Sequence, residues 1–367
     1  MSDGAIERRV QRLRAALSER GVEQLLVDDP FDLRYITGFT GSNGMAVVSA
    51  AADGPLRFLT DFRYTAQAES EVGAVFERET VAGELAEALP ELLGPGPGQL
   101  GVDESKLTVR GQRRLAQLLG DGWELTGATG IFGALRAVKE PGEVKLIAAA
   151  CELADEALRL TLEEGLAGRT EREVAFELET RMRRMGAEAA SFPSIVAAAE
   201  HGALPHAQPR DVPIPADVLV TIDWGAVLDG YCSDCTRTYA SGPAIGERER
   251  EVYELVLAAQ LAGLEAVKAG PGGREVDAAA RQVIEAAGEG ENFGHGLGHG
   301  VGLEVHEAPR LARTAGDEPL LDGNVVSVEP GVYLPGRLGV RIEDLVVVRP
   351  DGAELLTRLP KALTVIG

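Results

Sequence analysis

Cysteine, basic charge and long apolar runs are all scarce in this chain, and each scarcity removes a class of protein. Cys151, Cys232 and Cys235 are the only 3 cysteines in 367 residues, an odd and sparse set that argues against a disulfide framework. Positive charge is short as well: 36 Lys and Arg face 58 Asp and Glu, a formal net charge of −22. Nucleic acid is a poor partner for such a surface, because phosphates need compensating cations, and an anionic membrane surface is disfavoured likewise. The acidity reads as solubility, or as a salt-adapted or acid-biased proteome, rather than as the mark of a basic partner. No run approaches the length of a membrane span. The first twenty residues read as an amphipathic helix rich in Arg and Glu without an apolar signal core, so a cytoplasmic location is expected. Long low-complexity tracts are missing, and 45% hydrophobic with 26% charged residues is ordinary globular composition. The length suits two domains, each with its own core.

Apolar spacing divides the chain in two. A helical stripe through Val10, Leu13 and Leu17 precedes a buried strand over 24–27, and strands over 45–49 and 56–60 flank the turn Asp53-Gly54-Pro55. The spacing predicts helices over 84–93 and 108–119, the first stopped by Gly94-Pro95-Gly96-Pro97, and a last strand over 123–126. These make an α/β N-terminal domain, residues 1–133. Lys139-Glu140-Pro141-Gly142 reads as the entry to a second domain, residues 134–367. There, long helices over 143–162, 171–185, 247–268 and 274–287 alternate with strand-rich stretches over 218–226, 230–240, 325–334 and 339–349. Helices beside mainly antiparallel strands give an α+β domain.

Five residues of this second half have the character of a two-metal ligand set: Asp223, Asp234, His299, Glu329 and Glu343. Taking Leu228 and Asp229 as turn residues, Asp223 faces Asp234 across a hairpin. Centred on Gly336, Glu329 and Glu343 lie seven residues to either side and face each other too. Opposed acids destabilise a sheet unless a cation lies between them. Four carboxylates suit two divalent cations, and one imidazole among oxygen donors points to Mn²⁺, with Co²⁺ or Zn²⁺ as alternatives. His299 lies in a run, 293–307, that holds three of the five histidines and five alternating glycines. The glycines permit close backbone approach, while the run lacks the Lys-Ser/Thr of a phosphate loop and the setting of a dinucleotide fold. Cys232 and Cys235 form a Cys-x-x-Cys without a second pair, so a packed-thiol reading is preferred to zinc or redox chemistry. Trp224 and Tyr231 are expected to wall the site.

At these residues the chain resembles the pita-bread metallopeptidases, specifically the Xaa-Pro branch of aminopeptidase P and prolidase. Ile222-Asp223, Tyr231-Cys232-Ser233-Asp234-Cys235-Thr236-Arg237, the run from His295 to Glu307, Val328-Glu329-Pro330-Gly331 and Val340-Arg341-Ile342-Glu343-Asp344 occur in the family's order. In the first half, the stretch from Tyr35 to Gly44 and Thr60-Asp61-Phe62-Arg63-Tyr64 resemble that branch's amino-terminal domain. The resemblance implies a creatinase-type N-terminal domain followed by a pita-bread catalytic domain, and a dinuclear exopeptidase that cleaves Xaa-Pro bonds by attack of a metal-bridging hydroxide. By it, Asp223 holds one metal, His299 and Glu329 hold the other, and Asp234 and Glu343 bridge both. Glu329 is the implied proton shuttle. His206 and His306 match positions that bind substrate and stabilise the oxyanion. Arg310 resembles a residue that holds the carboxylate of a C-terminal proline. Arg341, two residues from Glu343 and on the same strand face, is expected to keep that carboxylate ionised and to line the substrate site. His295 is left outside the ligand set. A proline-containing peptide is the implied substrate and a homodimer or higher homo-oligomer the implied assembly.

Two other readings compete. A creatinase-like hydrolase of another small C–N compound shares the fold but typically lacks the full ligand set. A non-catalytic pita-bread binding protein is marked by lost ligands and basic insertions, and neither occurs here.

Overall fold

Ile6, Val10, Leu13 and Leu17 recur at three- and four-residue intervals, and in the computed structural model, which describes residues 3–367, they form the buried face of helix α1 (Asp3–Glu19). Two compact units follow the chain, one up to Arg136 and one from Ala137. In the first, a six-stranded sheet has the order β4-β3-β2-β1-β5-β6, from β1 (Gln24–Val27), β2 (Gly44–Ser49), β3 (Leu56–Asp61), β4 (Glu77–Val81), β5 (Gly98–Val102) and β6 (Trp123–Gly127). It is mixed: β1–β2 and β2–β3 are antiparallel, the other pairs parallel. Helix α2 (Pro30–Thr37) starts cleanly because the Asp29 side chain accepts from the backbone N–H of Phe31 and Asp32 while Pro30 occupies the first turn. Helices α3 (Thr65–Glu71), α4 (Leu89–Leu93), α5 (Val109–Leu119) and α6 (Ile131–Ala137) complete the set. The single helix expected over 84–93 is instead a 3₁₀ turn, Leu85–Ala88, followed by α4. Pro90 lacks an N–H and sits in the first turn of α4, so it begins a new helix where it cannot continue an old one.

The second unit is built twice from one plan, a helix pair on an antiparallel sheet. Helix α7 (Pro141–Leu162) opens on a reciprocal capping box between Glu140 and Glu143, and α8 (Glu171–Arg184) on one between Thr170 and Glu173. They pack on the sheet β12-β9-β8, formed by β8 (Ile195–Ala198), β9 (Leu219–Trp224) and β12 (Cys235–Ala240), around Leu158, Leu178, Ile222 and Trp224. Three short strands, β7 (Ala189–Ala190), β10 (Ala226–Leu228) and β11 (Tyr231–Cys232), extend this half. Helices α9 (Glu247–Ala266) and α10 (Gly273–Ala286) cover the other half, around Val256, Ala280, Val328 and Val346. Its sheet, β14-β13-β15-β18-β19, comprises β13 (Gly298–Gly300), β14 (Glu307–Leu311), β15 (Val325–Val328), β18 (Asp344–Arg349) and β19 (Gly352–Leu355), with β16 (Gly331–Leu334) and β17 (Leu338–Arg341) as a separate ribbon. Pairings between named strands here are all antiparallel, as the α+β reading expects. Among the described residues no helix is long and apolar enough to cross a membrane.

The two acid-bearing hairpins differ in register from one another and, in one case, from expectation. Val328 pairs with Asp344 and Gly331 with Arg341, so Glu329 and Glu343 are opposed in the gap between the two ladders, as the Gly336-centred turn predicts. In the first hairpin Asp223 pairs with Thr236, not Asp234. The turn residues are Asp229 (φ 47°) and Gly230 (φ 78°), one position later than the sequence reading placed them. Two successive positive φ values form the tight turn that suits twisted strands, and Asp-Gly is the dipeptide that adopts it. The slip moves the pairing by two residues, an even number, so Asp234 remains on the face of Asp223 as a diagonal neighbour.

Candidate metal centre

Breaks in four strands present the candidate donors. Asp223 is the last residue but one of β9, Asp234 lies between β11 and β12, Glu329 between β15 and β16, and Glu343 between β17 and β18. Asp223, Asp234 and Glu343 each offer an oxygen within 4.8 Å of the others. His299, on β13, places Nε2 3.2 Å from Glu329 Oε1 and 3.7 Å from Asp234 Oδ2. All five predicted ligands therefore meet in one cluster. His299 Nδ1 lies 3.1 Å from the Gly300 carbonyl. A carbonyl only accepts, so Nδ1 carries a proton and Nε2 is the ring nitrogen directed at the carboxylates.

The electrostatics of this cluster are strained without cations. Burial, then repulsion from neighbouring carboxylates, pushes Asp234 and Glu343 well above the ordinary range. Burial also raises Asp223, although Arg341 opposes it. For His299 burial lowers the pKa, but the hydrogen bond and charge of Glu329 outweigh it and the net shift is upward. Asp223 Oδ1 and Glu343 Oε1 are buried with no hydrogen-bond partner. An orphaned buried carboxylate oxygen is costly. Two such atoms among four acids and one imidazole form a donor set that fits divalent cations.

Around the donors, hydrogen bonds fix each side chain. Arg341, buried, donates from Nη2 to Asp223 Oδ2 at 2.7 Å, from Nε to Thr236 Oγ1 at 3.0 Å and from Nη1 to Tyr333 Oη at 2.8 Å. Its direct partner is Asp223, where sequence reasoning set it beside Glu343; β9 lies close to β17 and brings Asp223 within hydrogen-bond reach. Thr236 donates to Glu343 Oε2 at 2.8 Å, and Ser327 to Glu329 Oε1 at 2.9 Å. His295 lies 2.9 Å from Tyr333 Oη and outside the donor cluster. Thr236, Ser327 and Tyr333 escaped the sequence reading. Ser327 carried one available signal, its place two residues from Glu329 on the same strand face.

The substrate-side residues are less enclosed. His306 is exposed and its ring lies tilted against that of His299, 4.3 Å between centroids. Partial burial, then the charges of His299, His206 and Arg310, lower its pKa. Arg310 pairs directly with His299 across β13 and β14, so both side chains leave the same face, and its guanidinium makes no hydrogen bond or ion pair among the described residues. His206 is exposed in the segment after β8. Trp224 and Tyr231 do not wall the site as expected. Trp224 alternates away from Asp223 into the core and donates to the Ala154 carbonyl at 2.9 Å, while Tyr231 donates to Glu143 Oε1 at 2.9 Å. Cys151, Cys232 and Cys235 are buried thiols without a disulfide.

Comparison with known proteins agrees with this arrangement. The model of metallopeptidase family M24 matches residues 145–350, and that of the creatinase/prolidase N-terminal domain matches residues 9–138. The Xaa-Pro dipeptidase of Pyrococcus furiosus is 34% identical over 364 residues, covering 98% of this chain and 100% of the relative. A solved Xaa-Pro dipeptidase from Bacillus anthracis superposes with a TM-score of 0.93 at 38% identity, covering 98% of this chain and 99% of that one. An X-Pro aminopeptidase from Thermotoga maritima gives 0.86 at 36% identity, with 95% and 99% covered. With a buried donor cluster of four acids and one histidine on a twofold-repeated helix-and-sheet plan, and with these two models matching in order, the chain belongs to metallopeptidase family M24, of the pita-bread fold with a creatinase/prolidase N-terminal domain.

Proposed function

We propose that this protein is an Xaa-Pro dipeptidase that uses two divalent metal ions, Mn²⁺ foremost, with residues 134–367 as its catalytic domain. In this reading Asp223 would hold one ion, His299 with Glu329 the other, and Asp234 and Glu343 would contribute to both; the reach of Asp234 to both Asp223 and His299 supports its share. When bound, the ions act as Lewis acids that polarise the scissile carbonyl and acidify a water. The remaining work falls to this chain's own groups. Glu329 takes the proton of the attacking water on a carboxylate oxygen and returns it to the imino nitrogen of the leaving proline. His206 and His306 donate N–H to the carbonyl oxygen as charge develops on it. Arg341 acts on Asp223 rather than on substrate, because its hydrogen bonds run to protein groups.

One observation carries the dipeptidase assignment: Arg310, an unpaired guanidinium on the face of His299. A leaving proline with a free carboxylate meets a cation there, whereas a longer leaving peptide does not. Metal-loaded protein is expected to hydrolyse Ala-Pro in preference to Ala-Pro-Ala, and Arg310→Ala to erase that preference. Cleavage of neither substrate defeats the peptidase reading. Preference for the tripeptide instead favours aminopeptidase P, the activity named for the Thermotoga relative.

A further inference from the structure

The segment that carries His206 is long, irregular and exposed at its tip, yet one buried carboxylate holds both of its ends. Glu171, the first residue of α8, is 1% exposed. Its Oε1 accepts from the backbone N–H of Ala198 at 3.0 Å, at the start of the segment. Its Oε2 accepts from the backbone N–H of Arg210 at 2.9 Å, at the end. Between them, His201 Nδ1 lies 2.9 Å from Oε2, and the Arg210 guanidinium reaches both oxygens at 3.0 and 3.1 Å. The Pro205 carbonyl accepts from Arg341 at 3.3 Å, which ties the tip to Asp223. The path is bent sharply: Ala199 has φ 54°, a conformation residues with a side chain rarely adopt, and a 3₁₀ turn runs over Ala199–Ala203. Leu204, next to the tip, is 56% exposed, and the apolar anchoring nearby is small, Ala207 packing with Ile195 and Ala197. Burial opposes the charge of Glu171, but Arg210 and the backbone donors keep its carboxyl below the usual range. The start of α8 favours an anion as well.

We propose that Glu171 is the positioning residue of His206: it closes the 198–210 segment on itself, so that the imidazole at the tip is held over the metal centre. This rests on the reading of His206 as a substrate-binding group, because Glu171 touches neither substrate nor donors. A displacement of about 1 Å in such a group costs on the order of a hundredfold in rate, which makes the clamp consequential for turnover.

The test combines Glu171→Gln with hydrogen exchange and kinetics on the metal-loaded full chain. Exchange of amides in 198–210 is expected to accelerate by about tenfold or more while β9 and β12 stay protected. The kcat/KM for Ala-Pro is expected to fall about tenfold with metal content unchanged, and by less than about twofold when His206→Ala is already present. Acceleration spread evenly over the catalytic unit, or an equal loss with and without His206, overturns the proposal. Should Glu171→Gln fail to fold, Arg210→Gln decides instead. That variant keeps the backbone bonds, and about a threefold version of the same localised, His206-dependent effects is expected; their absence overturns the proposal. Failure of wild-type protein to cleave Ala-Pro sinks the dipeptidase reading alone, since the exchange measurement still reports whether Glu171 holds the segment.

Discussion

The two acid-bearing ribbons do the same job by different geometry. In the ribbon of Glu329 and Glu343 the carboxylates stand directly opposite, framed by ladders on either side. In the ribbon of Asp223 and Asp234 they are diagonal, because Asp229-Gly230 turns the chain one residue later than Leu228-Asp229 would. Both arrangements deliver their acids to one cluster. What a site of this kind requires is a shared face, which survives a slip of two residues, rather than direct opposition, which does not. The slip also has a use. It places Thr236 opposite Asp223, and from there the Thr236 hydroxyl donates to Glu343 and accepts from Arg341, cross-linking the two ribbons.

The comparison breaks most visibly at Glu343. Glu343→Gln is expected to lower Ala-Pro hydrolysis about a thousandfold, measured at saturating Mn²⁺. The same change should raise the melting temperature of chelator-treated protein, because it removes a buried acid whose charged form is disfavoured by burial and by its neighbours. Loss of both activity and apo stability would contradict the idea that the acids are strained until cations arrive. Next comes Thr236→Val, which severs the cross-link while keeping the shape. Metal affinity, read by chelator competition, should weaken between about tenfold and a hundredfold.

A smaller effect lies behind the second ribbon. Burial raises the carboxyl of Asp155 to about 6, helped by the charge of Asp344, against a usual 3.8. The folded state therefore binds the extra proton between those values, and stability falls as pH rises through that window. Asp155→Asn should flatten the slope between pH 4 and pH 6 in denaturant titrations (a range set by that shift). At pH 7.5 the variant should exceed wild type by about 2 kcal/mol. Smallest is Gly336→Ala. Its φ of 70° disfavours a side chain although open space surrounds it, so unfolding should cost about 1 kcal/mol less with metal affinity unchanged. Weakened metal binding in this variant would show that the tip of the ribbon, not the ladders beside the acids, sets their spacing.

Much of the fold was legible because its signals are local. The α1 stripe, the Asp29-Pro30 start of α2 and the capping boxes of α7 and α8 each lie within a few residues of the structure they direct. Where local rules competed, the reading slipped. Pro90 restarts a helix where apolar spacing alone extends one, and the Asp229-Gly230 turn competes with the neighbouring Leu228-Asp229. The five donors were legible as acids and a histidine in strand and glycine contexts. Their supporters were not. Thr236, Tyr333 and Glu171 are ordinary strand and helix residues until folding brings distant segments to them. Trp224 failed in the opposite sense: adjacency to Asp223 suggested a wall, and strand alternation turned it into the core.

Residue type and spacing by themselves determined that four acids and a histidine of the second domain lie in strand and glycine contexts and suit divalent cations, because ligand chemistry is a property of side chains and face alternation a property of the backbone. Only the tertiary structure decided which acid Arg341 serves, which hydroxyl joins the ribbons and which carboxylate holds the His206 segment. Those choices depend on contacts between residues far apart in the chain, 39 positions for Glu171 with Arg210 and 107 for Thr236 with Glu343, and no local signal encodes a distance of that kind.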